Sequence, residues 1–75
     1  MLAEHDTAVL NADMLSHALV AGDVGVVVHV YAGGKAYEVE FVRYDGTSSG
    51  TVTLEASLVR SAGPRDVPHV RELAA

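Results

Sequence analysis

The eight residues Val24–Tyr31 (Val-Gly-Val-Val-Val-His-Val-Tyr) constrain the fold more than any other stretch of the chain. β-Branched side chains are stiff at χ1 and pack well on a pleated surface, so a run this rich in valine reads as a strand. Ala32-Gly33-Gly34-Lys35 follows. Glycine accepts positive φ without a Cβ clash, which makes this segment a hairpin turn. Residues 36–43 then alternate: Tyr37, Val39 and Phe41 point to one side, Glu38 and Glu40 to the other. The chain is therefore expected to be organised around a β-hairpin with one face turned to a core. If no bulge intervenes, Val24, Val26, Val28 and Val30 share one face of the first strand. Gly25, Val27, His29 and Tyr31 then share the other. Both faces are largely apolar, which predicts a bent strand that serves a barrel interior and is partly covered outside. Gly25 marks either a bulge or a close backbone approach.

Around this hairpin the signals are weaker. Residues 7–11 read as a short strand weighted by Val9 and Leu10. Met14, Leu15, Ala18 and Leu19 have helical spacing over barely two turns, so residues 14–21 read as an irregular loop holding one helical turn. Ala21-Gly22-Asp23 is a turn, with Asp23 in turn chemistry. Residues 44–50 form a polar loop around Asp45-Gly46. Residues 51–54 make a fourth strand with Val52 and Leu54 inward, residues 55–57 a 3₁₀ turn, and residues 58–60 a fifth strand. A break at residues 61–65 precedes a stretch at 66–73 that reads as extended. There Pro68 cannot donate to a ladder and restricts the segment to an edge. The expected architecture is all-β: a small five-stranded SH3-like barrel over residues 1–60 with a long first loop. Residues 61–75 are expected to form a linker and an extended C-terminal segment that packs on the barrel or on a partner. An open five-stranded sheet or an OB-like barrel is the alternative, for which 75 residues is short.

Composition removes several classes. There is no cysteine, hence no disulfide framework, zinc finger, iron–sulfur site or thiol chemistry. No run approaches the ~18 apolar residues of a membrane-spanning helix. The acidic start, Met1-Leu2-Ala3-Glu4-His5-Asp6, lacks the basic region of a signal peptide, so a cytoplasmic location is expected. A hydrophobic share of 49% is too high for disorder. A domain this small removes roughly 60–65% of its unfolded surface from water. Its stability is expected at the low end of ~5–15 kcal/mol. Oligomerisation is a common remedy, so a homo-oligomer such as a dimer, or an obligate partner, is expected.

Three stretches carry a resemblance. They are Gly22-Asp23-Val24-Gly25-Val26-Val27-Val28-His29-Val30-Tyr31, then Ala36-Tyr37-Glu38-Val39-Glu40-Phe41, then Thr53-Leu54 with Ala56-Ser57-Leu58 after it. Over about residues 5 to 60 the chain resembles a bacterial family of short proteins, the domain-of-unknown-function family numbered 4926. His17 and Leu19 also match the family pattern, whereas Leu15, Ser16 and Ala18 depart from its Pro, Glu and Gly. The resemblance implies an SH3-like barrel and no particular activity. It also implies a partner of toxin–antitoxin type, since members occur beside small partner genes of that kind. The Gly-Asp-x-Gly-x-Val core is similar, too, to the KOW-type barrels of ribosomal and transcription proteins and to the barrel of nitrile hydratase β subunits. A shared turn and strand speak to fold rather than function.

Candidate chemistry is sparse. His5, His17, His29 and His69 fall on four different segments with no His-x-His or His-x₃-His pair, so no metal site is expected. His17 is expected to hydrogen-bond within its loop and hold the turn into Gly22-Asp23. Glu38 and Glu40 would sit ~7 Å apart on an exposed strand face, without the cleft or raised pKa of catalytic carboxylates. Ser48, Ser49 and Ser57 lack a nucleophile elbow. Gly33-Gly34-Lys35 is followed by a strand where a phosphate loop requires a helix. A barrel of this size is expected to have little room for a pocket of ~300 Å³. No catalytic residue, cofactor or small-molecule substrate is expected. Tyr31, Tyr37 and Tyr44 are the recognition aromatics available besides Phe41, and without Trp they do not make a polyproline groove. With Val67, His69 and Val70 of the tail they form the expected interaction set. Gly22, Asp23, Gly25, Gly33, Gly34 and His17 form the expected structural set.

Two functions are compatible with this pattern. The first is a non-catalytic, acidic interaction module that binds a specific partner or itself. Its net charge of −5 suits a basic partner, and an antitoxin-like role would follow. The second is a KOW-type RNA-binding barrel. That reading has only Lys35, Arg43, Arg60, Arg65 and Arg71 to offer to phosphates, so nucleic acid is the less expected partner.

Overall fold

The structure, a computed structural model, describes residues 1–73. Five antiparallel strands form one sheet: β1 (Thr7–Leu10), β2 (Val24–Tyr31), β3 (Ala36–Val42), β4 (Ser48–Glu55) and β5 (Val59–Ser61). Their order is β4-β3-β2-β1-β5. A 3₁₀ turn at Ala56–Leu58 carries the chain from β4 at one edge to β5 at the other. There Leu10 pairs with Val59 and Ala8 with Ser61. This crossover curls the sheet into the small SH3-like barrel that the sequence predicts, with a long first loop and a C-terminal segment after β5.

Inward residues build one core. Ala8 and Leu10 of β1, Val27 of β2, Tyr37, Val39 and Phe41 of β3, Leu54 of β4 and Val59 of β5 are all buried. Leu19 from the first loop and Leu2 from the N-terminus complete it. The turn between β2 and β3 uses the left-handed region at Ala32, Gly33 and Gly34 (φ 46°, 69° and 100°), as its Gly-Gly pair anticipates.

Three sequence expectations are corrected. The valines of β2 do not share one face. Val27 pairs with Val39 and His29 with Glu38, so Val28 is an extra residue in the ladder. This bulge switches the alternation: Val27 and Val30 turn inward, while Val28 and His29 both face out. Second, β4 starts at Ser48 rather than Thr51. A second irregularity between Glu40 and Val42 absorbs the polar residues at 48–50 into the ladder, and Ser49 Oγ donates to the Phe41 carbonyl at 2.8 Å. Third, β1 ends at Leu10, the 3₁₀ turn spans Ala56–Leu58 and β5 is Val59–Ser61, each displaced by a residue from the expected bounds.

The C-terminal residues 62–73 belong to no strand. Pro68 therefore does not lie on a ladder edge. Ala74 and Ala75, part of the expected tail segment, lie outside the described residues. Among the described residues no helix is long and apolar enough to cross a membrane.

Candidate functional site

The first loop and the C-terminal tail meet at Asp23. The loop is shaped locally. Residues Leu15–His17 make one 3₁₀ turn, Ala18 closes it in the left-handed region, and Met14 bridges to Leu19. Two carboxylates then organise the turn into β2. Asp13 Oδ1 accepts the Ala21 N–H at 2.9 Å, and Asp23 Oδ2 accepts the Val20 N–H at 2.9 Å. These bonds take the role that the sequence assigns to His17. Among the described residues no side-chain hydrogen bond joins His17 to this turn; its imidazole is exposed.

Asp23 has a second role that turn chemistry does not suggest. It is 7% exposed, the one buried charged side chain among the described residues. Arg71, 48 residues later, reaches back to it. The Arg71 Nε donates to Asp23 Oδ1 at 2.8 Å and a terminal nitrogen donates to Oδ2, a bidentate fork. The same Arg71 nitrogen donates to the Ala18 carbonyl at 2.8 Å. His69 Nε2 lies 3.2 Å from Asp23 Oδ1, and its ring faces Gly22, which has φ +93°. Burial would raise the Asp23 pKa, but the Arg71 hydrogen bonds, the Val20 N–H and the charges of Arg71 and His69 outweigh it. The carboxyl stays below its ordinary value.

The start of the tail is tied down separately. Arg60 forks onto Asp66 at 2.8 and 2.9 Å, and Asp66 also accepts the Gly63 N–H at 2.7 Å. These bonds hold Asp66 at a pKa of about 2. Both Asp23 and Asp66 therefore bind protons less readily in the folded chain than the unfolded value of about 3.9 implies. Their contributions are complete above that value and are lost as pH falls through the folded pKa. The urea midpoint is expected to decline between about pH 4 and pH 2. Asp66→Asn should make that decline shallower across the whole window, because the slope from Asp66 runs from its unfolded value down to its folded one. A midpoint constant down to pH 2 contradicts this assignment.

Between the two clamps the tail passes over the barrel and leaves an open cleft of about 740 Å³. Leu19, Val24, Phe41 and Val42 line the barrel side, and His69 and Arg71 the tail side. A smaller hollow of about 420 Å³ lies by Leu2, Gly34 and Tyr37. The expectation of little room for a pocket is thus corrected. The room is outside the barrel, made by the N- and C-terminal segments lying against it.

The expected interaction residues separate into groups. Tyr37 is buried at 3% exposure, and its hydroxyl accepts the Leu2 N–H at 3.3 Å, so it is a core residue unavailable to any partner. Tyr31 is half exposed on the outer face of β2, stacked edge-on against His29 at 4.5 Å. Its hydroxyl donates to Glu38 at 3.2 Å. Tyr44 projects from the β3–β4 loop at 91% exposure. Val67 and Val70 are exposed, while His69 is tied to Asp23. Of the structural set, Gly25 sits in the core wall, Gly33 and Gly34 in the hairpin turn, and Gly22 and Asp23 at the clamp. Glu38 accepts the Thr53 hydroxyl at 2.6 Å. Hydrogen bonds from Thr53, Thr51 and Tyr31 hold its pKa below the ordinary value, opposite to the shift a general acid requires. Among the described residues no three His, Asp or Glu side chains converge as metal ligands.

Residues 4–61 match the family model "Domain of unknown function (DUF4926)". The chain belongs to this family. The match takes in all five strands and the Asp23 turn, and it stops where β5 ends. The DUF4926 domain therefore supplies Asp23, while the segment carrying His69 and Arg71 lies beyond it. No curated protein and no solved structure gave a match.

Proposed function

We propose that this DUF4926 chain is a non-catalytic protein-interaction module of the cytoplasm. It works by docking a specific basic partner, in an antitoxin-like manner, or a second copy of itself. One observation carries the reading. The outer face of the central hairpin presents valine to water in a row: Val24, Val26 and Val28 are 44%, 38% and 40% exposed. Val42, 49% exposed, lines the same cleft as Val24. Tyr44 stands beside it at 91%. A contiguous apolar stripe on so small a domain marks a contact surface.

The charge distribution supports a protein over RNA as the ligand. Of five cationic side chains, Arg60 and Arg71 are each committed to a carboxylate. Arg43 is turned onto Thr47 and the Ser48 carbonyl. Affinity for phosphates requires free cations in a cluster.

Light scattering over a hundredfold concentration range tests the reading, with the chain alone and with the purified product of the adjacent gene. A complex or dimer is expected, weakened at least tenfold by Val26→Glu. A mass of 7.8 kDa under every condition overturns the proposal.

A further inference from the structure

We infer that Asp23 and the cleft beside it form a socket for an arginine-bearing extended segment of a basic partner protein, and that the chain's own tail occupies this socket in cis. The inference rests on the interaction reading above and names the mode of recognition.

Four observations lead to it. The acceptors of the socket all belong to the first loop and its turn into β2. Asp23 is held by the Val20 N–H, and the Ala18 carbonyl is turned outward by its left-handed backbone, so both acceptors are fixed by the loop itself. Together they offer three oxygens in the arrangement a guanidinium fork requires, and Arg71 takes all three. Second, the tail is a ligand in its manner of contact. It adds no strand to the sheet, and none of its described residues belongs to the buried core. Its hold on the socket is the side chains of His69 and Arg71. Third, the family match covers the socket and stops before its occupant. The acid and its cradle are features of the domain, whereas the arginine that fills them is an appendage. Fourth, the chemistry is complementary to one class of partner. A buried carboxylate on a chain of net charge −5 favours a cationic segment. The Leu19, Val24, Phe41 and Val42 wall beside it takes apolar flanking residues.

A buried acid is costly to leave alone, so the tail keeps the socket satisfied until a competitor arrives. Being tethered, the tail acts at an effective concentration in the millimolar range, which a partner must overcome with contacts to the neighbouring valine stripe. Wild-type chain is thereby guarded against stray arginines.

The probe is a labelled peptide of residues 66–73, titrated by fluorescence anisotropy into full-length chain. Arg71→Ala chain is expected to bind it at least tenfold more tightly than wild type, because its own socket is vacated. The same peptide with Arg71→Lys should bind tenfold more weakly, since an ammonium cannot fork, and with Arg71→Ala it should not bind. Adding Asp23→Asn to the Arg71→Ala chain should abolish binding while circular dichroism stays that of a β-barrel. Should Arg71→Ala fail to fold, excess peptide added to ¹⁵N-labelled wild-type chain must shift the amides of Leu19, Gly22 and Asp23. Equal binding of the Arg and Ala peptides, or no binding to a folded Arg71→Ala chain and no shifts in wild type, overturns the inference. Either result counts against the socket whether or not light scattering detects a complex, so the socket and the wider interaction role fail separately.

Discussion

Gly25→Ala is expected to destabilise the barrel by about 3 kcal/mol, the cost of overpacking a filled core. A methyl at this position would lie 2.6 Å from Val39 Cγ1, 2.8 Å from the Glu40 carbonyl oxygen and 3.1 Å from Phe41 Cδ1. None of the three can yield cheaply. Val39 is fully buried, Phe41 packs in the same layer, and the Glu40 carbonyl belongs to the backbone of β3 beside the Val26–Glu40 pair. Gly25 also pairs with Ala8, so a shift of β2 would disturb β1 as well. In a domain whose total stability lies near the low end of ~5–15 kcal/mol, such a loss removes much of the folded margin. The melting temperature should fall by more than ~10 °C. Gly63→Ala is the matched control, because its added methyl meets only Asp66 Oδ2 at an ordinary 3.6 Å. It should change stability by less than ~0.5 kcal/mol. Urea midpoints for the two variants that coincide would refute the close-approach reading of Gly25.

The same glycine shows which parts of this fold a sequence displays. Its neighbours in β2 and β3 are legible because strand pattern and turn chemistry are local: valine density, a Gly-Gly turn and the Tyr37-Val39-Phe41 alternation each need only nearby residues. The bulge at Val28 is not legible, because it exists only relative to the register of β3. No valine in Val26-Val27-Val28 differs in kind from its neighbours, so the switch of face at Val30 leaves no mark. Leu2 is similarly silent: a single apolar residue near the start has no periodicity, yet it caps the core beside Tyr37. The Tyr37 hydroxyl makes it a candidate recognition aromatic in sequence, and the N-terminal backbone that covers it has no local signature. The site divides along the same line. Asp23 beside Gly22 is visible as a turn residue, which it is. Its partner lies 48 residues away in a segment with no strand pattern, and long-range charge pairing has no sequence period to betray it. One signal is present: Arg71 is one of only five cations in a chain with ten acids, so its pairing with some carboxylate is to be expected.

Asp23→Ala should cost about 2 kcal/mol, more than the removal of an exposed ion pair, because hydrogen bonds to a buried charged group are lost together. The Val20 N–H loses its acceptor in a half-buried turn, and the fork from Arg71 loses its anchor. Arg71, by contrast, can swing into water at little expense, which is why the acid and not the arginine holds the structural share of the pair. Salt should barely reduce the difference between wild type and variant, since Asp23 is 7% exposed and sheltered from counterions. The two ends of the tail then separate in behaviour. Asp66 still clamps residues 63–66 to Arg60, so cleavage by trypsin after Arg65 should proceed at the wild-type rate. Cleavage after Arg71 requires its side chain to leave Asp23 for the protease, and should accelerate at least tenfold in the variant. The ratio of the two cuts within one digest reads the clamp independently of global stability, because unfolding would speed both alike. A ratio unchanged by Asp23→Ala would mean that the tail is held by its apolar contacts, with the carboxylate serving the turn alone.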